Sequence, residues 1–154
     1  MKAYVDANFL VRLYLELPGC DEAVKLLNSR SARRGWPCPV TRLLRFEVIN
    51  ALHRLVFESR TSGQWRITPE SAAMAFADFE QDLSNAQFLV PSSLTLEDIE
   101  PEYDSLVTRY TAKQGIRTYD VIHVASARTA SCTRFLTFDE KAKALANLAG
   151  LKTN

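Results

Sequence analysis

Residues 3–19 have the sequence AYVDANFLVRLYLELPG, and the fold prediction starts from this stretch. The apolar run Ala3–Val5 ends at Asp6, and apolar residues then occupy every helical turn over Phe9–Leu17 until Pro18 ends the pattern. This change of spacing predicts a short buried strand followed by a helix. A strand joined to the next strand through a helix is the repeating unit of a parallel sheet.

The same alternation continues along the rest of the chain. Three further strands are predicted, at Trp36–Val40, Phe88–Val90 and Arg134–Phe138. The first of these contains two prolines, which cannot donate to a ladder, so we expect it to be short or irregularly paired. Helical spacing predicts further helices over Asp21–Arg34, Arg42–Ser59, Pro69–Leu83, Thr95 to about Gly115, Asp120–Ala130 and Glu140–Leu148.

The order of elements defines the predicted fold class. Strands that alternate with helices require parallel pairing through crossover connections. We therefore predict an α/β fold: one domain over residues 1–154, with a central, mostly parallel sheet and helices on both faces. Its 154 residues, 47% hydrophobic and 24% charged, are typical of a compact domain and exclude a disordered chain.

Charge and cysteine content narrow the function classes. Nineteen basic and 18 acidic residues leave a net charge of +1, so any nucleic-acid binding must come from a local patch or a metal rather than from overall charge. The three cysteines have no C-x-x-C spacing, which argues against a disulfide framework and a structural zinc site.

The apolar stretches are too short or too interrupted for a membrane protein. None approaches the roughly 20 residues that a bilayer-spanning helix needs. Asp6, Arg12 and Glu16 interrupt the apolar N-terminal segment, unlike the core of a signal peptide. We expect a cytoplasmic protein with no membrane partner.

Three aspartates occur where a parallel sheet would place a ligand, beyond the carboxyl ends of its strands. Asp6 and Asp139 directly follow predicted strands, and Asp120 follows a loop and begins a helix. Each also has a structural interpretation, because Asp6 and Asp139 can cap helices and Asp120 can interact with a helix dipole. For the last helix, Thr137 and Glu140 offer a competing capping box.

A fourth acid, Glu47, lies inside a predicted helix. It forms a polar stripe with Asn50 and Arg54 on an otherwise apolar helix, and this stripe faces either solvent or a site.

These positions fall within four segments that together resemble the PIN domain. The most specific part is Tyr119–Ala127 followed by Leu136–Asp139. The match runs in order along essentially the whole chain. The length resembles that of the single-domain VapC toxins of prokaryotic toxin–antitoxin pairs. The segments are Asp6-Ala7-Asn8, Arg45-Phe46-Glu47-Val48, Thr118-Tyr119-Asp120-Val121-Ile122-His123-Val124-Ala125 and Phe135-Leu136-Thr137-Phe138-Asp139.

The resemblance implies an endoribonuclease that depends on Mg²⁺ or Mn²⁺. Its acids would converge on one pocket, with Asp6 and Asp120 as direct metal ligands and with Glu47 and Asp139 completing the site directly or through water. Clustered carboxylates cannot all stay ionised without a cation, and hard oxygen ligands suit these metals. The metal would activate a water for attack on phosphorus.

The resemblance also implies partners and secondary site residues. We expect an RNA substrate, a cognate VapB-like antitoxin and a homodimer. Asn8 and Thr137 would bind substrate or orient the site, and His123 is expected to be a packed histidine because a metal-activated water needs no histidine base. Five arginines could form a phosphate-binding rim near Glu47, but positions at solvated helix ends explain most of them equally well. They are Arg30, Arg33, Arg34, Arg42 and Arg45.

Two other functions fit part of the pattern. A haloacid dehalogenase-type phosphatase also begins with a strand and an aspartate, but its second aspartate is replaced here by Asn8. A catalytically inactive PIN-like module would bind RNA or protein, although the presence of all four acids weighs against it.

Overall fold

The computed structural model describes residues 2–27, 37–61 and 63–154. Within these residues, the order of elements confirms the predicted alternation. Two parts of the prediction lie outside the described residues: the end of the helix predicted over Asp21–Arg34, and Trp36 at the start of the next predicted strand. The strands are β1 (Ala3–Val5), β2 (Cys38–Val40), β3 (Leu89–Pro91) and β4 (Arg134–Leu136). The helices are α1 (Ala7–Tyr14), α2 (Cys20–Leu27), α3 (Arg42–Thr61), α4 (Pro69–Asn85), α5 (Leu96–Leu106), α6 (Ala112–Gln114), α7 (Thr118–Thr129) and α8 (Glu140–Leu148), with a π-helical segment, Val107–Thr111, between α5 and α6.

All strand pairing in the described chain is parallel, which confirms the α/β fold class. β1 pairs with β4, with Ala3 opposite Arg134, and β2 pairs with β3, with Cys38 opposite Leu89. β1 and β2 lie side by side, yet the described residues form two hydrogen-bonded pairs rather than one continuous ladder.

Pro39 explains this break in the sheet. The N–H groups of successive strand residues point to opposite edges. Because the Cys38 N–H donates to the Phe88 carbonyl at 2.9 Å, on the side of β3, the nitrogen of Pro39 faces the side of β1 and carries no hydrogen. The predicted short strand is thus confirmed, and its proline is placed where a ladder bond to β1 would form.

Local chemistry sets several helix ends. The hydroxyl groups of Thr41, Thr68 and Thr95 accept backbone N–H groups in the first turns of α3, α4 and α5. Gly115 adopts a left-handed conformation, with φ of 61°, just after α6, where the helical pattern was expected to stop. Within the described chain, every helix is too short or too polar to cross a lipid bilayer.

The core joins the first strand and helix to the last strand. Tyr4 on β1 is fully buried and stacks on Phe135 of β4, with ring centroids 5.6 Å apart. Phe9 on α1 is also fully buried and stacks on Phe138 at 5.4 Å. These two contacts fix the junctions after β1 and β4 against each other, and both junctions carry candidate site residues.

Candidate active site

The four predicted acids line one cavity of about 470 Å³, which we call the acidic cavity. Asp6 comes from the β1–α1 junction, Glu47 from α3, Asp120 from the first turn of α7 and Asp139 from the residue before α8. The exposed Asn8 also lines the cavity. Thr137 does not line it but lies buried behind it. The fold therefore brings residues from both ends of the sequence to one place.

Asp6 is positioned as the N-cap of α1. One carboxylate oxygen, Oδ1, accepts the backbone N–H of Phe9 at 2.8 Å, and the other, Oδ2, accepts the Thr137 hydroxyl at 2.5 Å. The side chain is buried. Both carboxylate oxygens are therefore held by the protein, which fixes the carboxylate at the wall of the acidic cavity.

Thr137 connects Asp6 with Asp139. Its hydroxyl donates to Asp6 and accepts the backbone N–H of Asp139 at 2.9 Å. Its own backbone N–H donates to Oδ1 of Asn154 at 3.0 Å. Asn154 was not singled out in the sequence, because no local pattern joins it to a residue 17 positions earlier.

Asp139 caps α8, and the competing capping box on Thr137 and Glu140 is not the arrangement found. The Asp139 carboxylate oxygen Oδ1 accepts the N–H groups of Lys141 at 2.8 Å and Ala142 at 3.1 Å. Because the hydroxyl of Thr137 is already used by Asp6 and by the Asp139 backbone, the cap falls to Asp139 itself.

Glu47 is held by a buried histidine. His123 donates or accepts at both ring nitrogens: Nδ1 lies 3.0 Å from the Tyr4 hydroxyl, and Nε2 hydrogen-bonds Oε2 of Glu47. The histidine is buried, as expected for a packed residue. Its contact with Glu47 was not predicted, since the two residues are 76 positions apart and share no local pattern.

Burial and mutual repulsion disfavour the ionised acids. Burial raises the pKa of Asp6 from 3.8 to about 6, and the nearby Glu47 adds to this rise, while the bonds from Thr137 and Phe9 oppose it. Burial also raises the pKa of Asp120, and the charge of Asp139 raises it further. A cation in the acidic cavity would relieve both effects.

The donor chemistry of the cavity fits a hard divalent cation. Carboxylate oxygens are the ligands that Mg²⁺ and Mn²⁺ prefer, and here four carboxylates line one cavity. Across residues 2–27, 37–61 and 63–154, however, no three His, Cys, Asp or Glu side chains are arranged closely enough to hold a metal together. Contacts within the protein already engage Asp6, Glu47 and Asp139.

The rim of the acidic cavity contains residues that the sequence did not single out for this role. They are three arginines and two aromatic residues: Arg12, Arg54, Arg117, Trp65 and Tyr119. In the sequence, Arg54 belongs to the polar stripe with Glu47, and Tyr119 belongs to the segment Thr118–Ala125 that resembles the PIN domain.

None of the five arginines considered for a phosphate-binding rim is found at the acidic cavity in the part of the chain that the structure describes. Arg45 binds Glu80 at 2.8 Å, and Arg42 lines a different cavity beside α5. Arg30, Arg33 and Arg34 lie outside the described residues. The rim alternative therefore does not apply to Arg42 and Arg45 at the acidic cavity, because a helix surface near Glu47 in sequence need not face the same cavity.

Comparisons with known proteins agree on the fold. A sequence model of the PIN domain family matches residues 3–148. The structure resembles that of Mycobacterium tuberculosis VapC20, described as a sarcin–ricin loop cleaving toxin, with a TM-score of 0.63 and 17% sequence identity over 93% of this chain and 94% of that chain. No curated protein sequence matches the chain with significant similarity.

Proposed function

The chain belongs to the PIN domain family, and from this premise we propose that it is a Mg²⁺- or Mn²⁺-dependent endoribonuclease, the toxin of a VapBC-like toxin–antitoxin pair. The observation that carries the proposal is the acidic cavity, where Asp6, Glu47, Asp120 and Asp139 come together from four separate elements. A structural role alone gives no reason for four acids to share one cavity at a cost in electrostatic repulsion.

The site residues have distinct roles in this proposal. Asp6, Glu47, Asp120 and Asp139 would hold the metal directly or through water, and a bound divalent ion lowers the pKa of a water and neutralises charge on the phosphate. Thr137 orients Asp6, and His123 orients Glu47. Asn8, exposed at the cavity wall, is available to contact the RNA.

The proposed reaction is hydrolysis of a phosphodiester in RNA. Water adds to phosphorus, the bond from phosphorus to one ribose oxygen breaks, and the leaving oxygen takes a proton. The protein contributes carboxylates in fixed positions, so that the reacting groups are held in place before the reaction begins.

The remaining parts of the proposal concern partners and setting. We propose one PIN domain over residues 1–154, a homodimer, a cognate VapB-like antitoxin and a cytoplasmic location. The similarity to a VapC toxin supports the antitoxin as a partner. An antitoxin would inhibit the nuclease by covering the acidic cavity, and a basic side chain would be suited to its charge.

The test is cleavage of a total cellular RNA pool by the purified protein, with Mg²⁺ or Mn²⁺ and with chelator. Asp120→Asn removes one carboxylate of the acidic cavity, and Asp104→Asn on the exposed face of α5 is the matched control. We expect metal-dependent cuts at a few sites with the wild type and the control, and none with Asp120→Asn.

One alternative is tested by the same experiment. If wild type and Asp120→Asn give identical RNA profiles with and without metal, a catalytically inactive PIN-like module that binds RNA or protein becomes the better description. Mn²⁺ titration of the wild type would then show whether the acidic cavity retains a metal.

A further inference from the structure

The residues just before Asp120 present an aromatic ring and a cation at the rim of the acidic cavity. Tyr119 lies in the first turn of α7, lines the cavity and is 55% exposed. Among the described residues, no aromatic ring stacks on it. A large ring exposed to water next to a half-buried acid has a free face available to a ligand.

Arg117 differs from the other two arginines of the rim. The Arg54 guanidinium is paired with Glu58 at 2.8 Å, and that of Arg12 binds the Pro18 carbonyl and lies over the ring of Phe138. Arg117 is exposed and forms no ion pair within 4 Å of another described residue. It is therefore the rim arginine that is free to bind an anion.

The start of α7 places the Arg117 guanidinium close to Asp120 without a side-chain cap between them. Arg117 occupies the N-cap position, and its side chain makes no capping hydrogen bond. The helix of 12 residues thus begins without a side-chain cap beside the unpaired guanidinium. Asp120 in the first turn already places negative charge beside the backbone N–H groups of the helix start, so the attraction of a phosphate at this point rests on the Arg117 guanidinium.

We propose that Tyr119 and Arg117 form a recognition site for one unpaired nucleotide of the RNA, a proposal that rests on the proposed ribonuclease function. The base stacks on the ring of Tyr119, and a phosphate of the same strand binds Arg117. The adjacent residue, Asp120, belongs to the acidic cavity, so this nucleotide lies next to the bond to be cut.

The chemistry of stacking selects the substrate class. In a duplex each base is stacked between its neighbours, and a protein ring cannot reach its face. Single-stranded segments, loops and bulges present free base faces, and stacking on an aromatic side chain accepts any base. A nucleotide that binds at Tyr119 must therefore be unpaired, and Trp65, which also lines the cavity, offers a second ring.

The experiment measures binding of a labelled single-stranded RNA and of the same RNA in a duplex by fluorescence anisotropy in chelator, where no cleavage occurs. We expect Tyr119→Ala to weaken single-strand binding roughly 5- to 100-fold, the range that loss of one stacked base produces. Tyr119→Phe keeps the ring and should stay within about twofold of wild type. Duplex binding should change little in either variant.

Matched controls separate recognition from general surface effects. Phe57→Ala removes another exposed ring, 64% accessible, that does not line the cavity, and should bind RNA as the wild type does. Arg117→Ala should weaken binding and lower the salt dependence by about one phosphate contact. Arg109→Ala, an exposed arginine away from the cavity, should change the salt dependence less.

Abasic substitutions identify the stacked nucleotide. Removing one base at the right position should weaken binding to the wild type by the same factor as Tyr119→Ala, with no further loss when the two changes are combined. In the presence of Mn²⁺, Tyr119→Ala should raise KM with a smaller change in kcat, which a merely misfolded variant would not do.

The outcomes distinguish this inference from the function on which it rests. Metal-dependent cleavage by the wild type with unchanged RNA binding and KM in Tyr119→Ala overturns the recognition site alone. Equal binding of single-stranded and duplex RNA also overturns it. A wild type that neither binds nor cleaves RNA overturns both, and a loss of antitoxin binding alone in Tyr119→Ala would assign the ring to the protein partner instead.

Discussion

The Asp6 side chain should make the metal-free protein less stable as the pH rises. Burial raises the pKa of this carboxyl from 3.8 to about 6 in the folded state. Between these values the folded protein binds a proton that the unfolded chain releases, so the free energy of unfolding falls as the pH increases through this window. At 1.36 kcal/mol per pKa unit, the loss above pH 6 is about 3 kcal/mol.

The substitution Asp6→Asn isolates this effect. The amide oxygen of the asparagine can still accept the N–H of Phe9. Its NH2 group replaces the other carboxylate oxygen and can donate to the Thr137 hydroxyl. Without a charge to bury, the variant should be more stable than wild type at pH 7.5 by about 1–3 kcal/mol in chelator, and equally stable near pH 4.

Urea unfolding from pH 4 to pH 8 measures both curves, and Asp104→Asn serves as the control because this aspartate is exposed. The control should run parallel to wild type, whereas the difference between wild type and Asp6→Asn should grow across pH 4–6. A constant difference, or an Asn variant less stable than wild type at pH 7.5, would refute the reasoning. Added Mn²⁺ should stabilise the wild type and not the variant.

Three further predictions separate structural from functional roles. Asp139→Asn should keep the cap of α8 and the wild-type melting temperature but lose cleavage, whereas Asp139→Ala should also lose about 1 kcal/mol, as thermal denaturation would reveal. Thr137→Val removes a hydrogen bond that lowers the pKa of Asp6, so the pH profile of cleavage should move to higher pH; an unmoved profile would contradict the coupling of the two residues. His123→Leu should lower the free energy of unfolding by about 1–3 kcal/mol and weaken Mn²⁺ binding in calorimetry, because Glu47 loses its partner. His123→Gln should restore part of the stability and part of the Mn²⁺ affinity, and a lack of restoration would argue against a positioning role.

Local chemistry explains why much of the fold could be predicted. The signal for a helix start lies within a few residues at two places: Thr68 is followed directly by Pro69, and Thr95 is followed three residues later by an acid. The strands β1 and β4 are short apolar runs followed by an aspartate or a polar turn, which are equally local. The break between β1 and β2 was only half predicted, because a proline shows that a ladder bond is missing but not on which side.

The candidate site was harder to predict, because its contacts join distant residues. Asp6 meets Thr137, 131 positions away, and His123 meets Tyr4, 119 positions away. No periodicity predicts such pairs. The parallel sheet places the three aspartates at one edge, and the resemblance to a family adds Glu47 and implies that all four acids converge. Tyr119 stands in the sequence only as part of a motif, and Arg117 carries no sequence signal, because the exposure of both residues is a property of the folded surface.

Asp6 and Asp139 each combine a structural position with a position in the site. For Asp6 and Asp139, capping a helix and lining a site were set against each other as alternatives, and the structure gives each residue both positions. The two are compatible because an ionised carboxylate has about four lone-pair sites, so hydrogen bonds that fix its oxygens leave lone pairs for a ligand.

The pairing of β1 with β4 has a consequence for the protein while it is being made. Ribosomes deliver β1 early, yet its partner strand and the residues Thr137 and Asp139 leave the exit tunnel only after more than a hundred others. Until then Asp6 has no Thr137 to fix it, and the wall formed by Asp139 does not exist. Under the proposed function, a nascent chain therefore has no complete site for cutting RNA until Asp139 has left the exit tunnel.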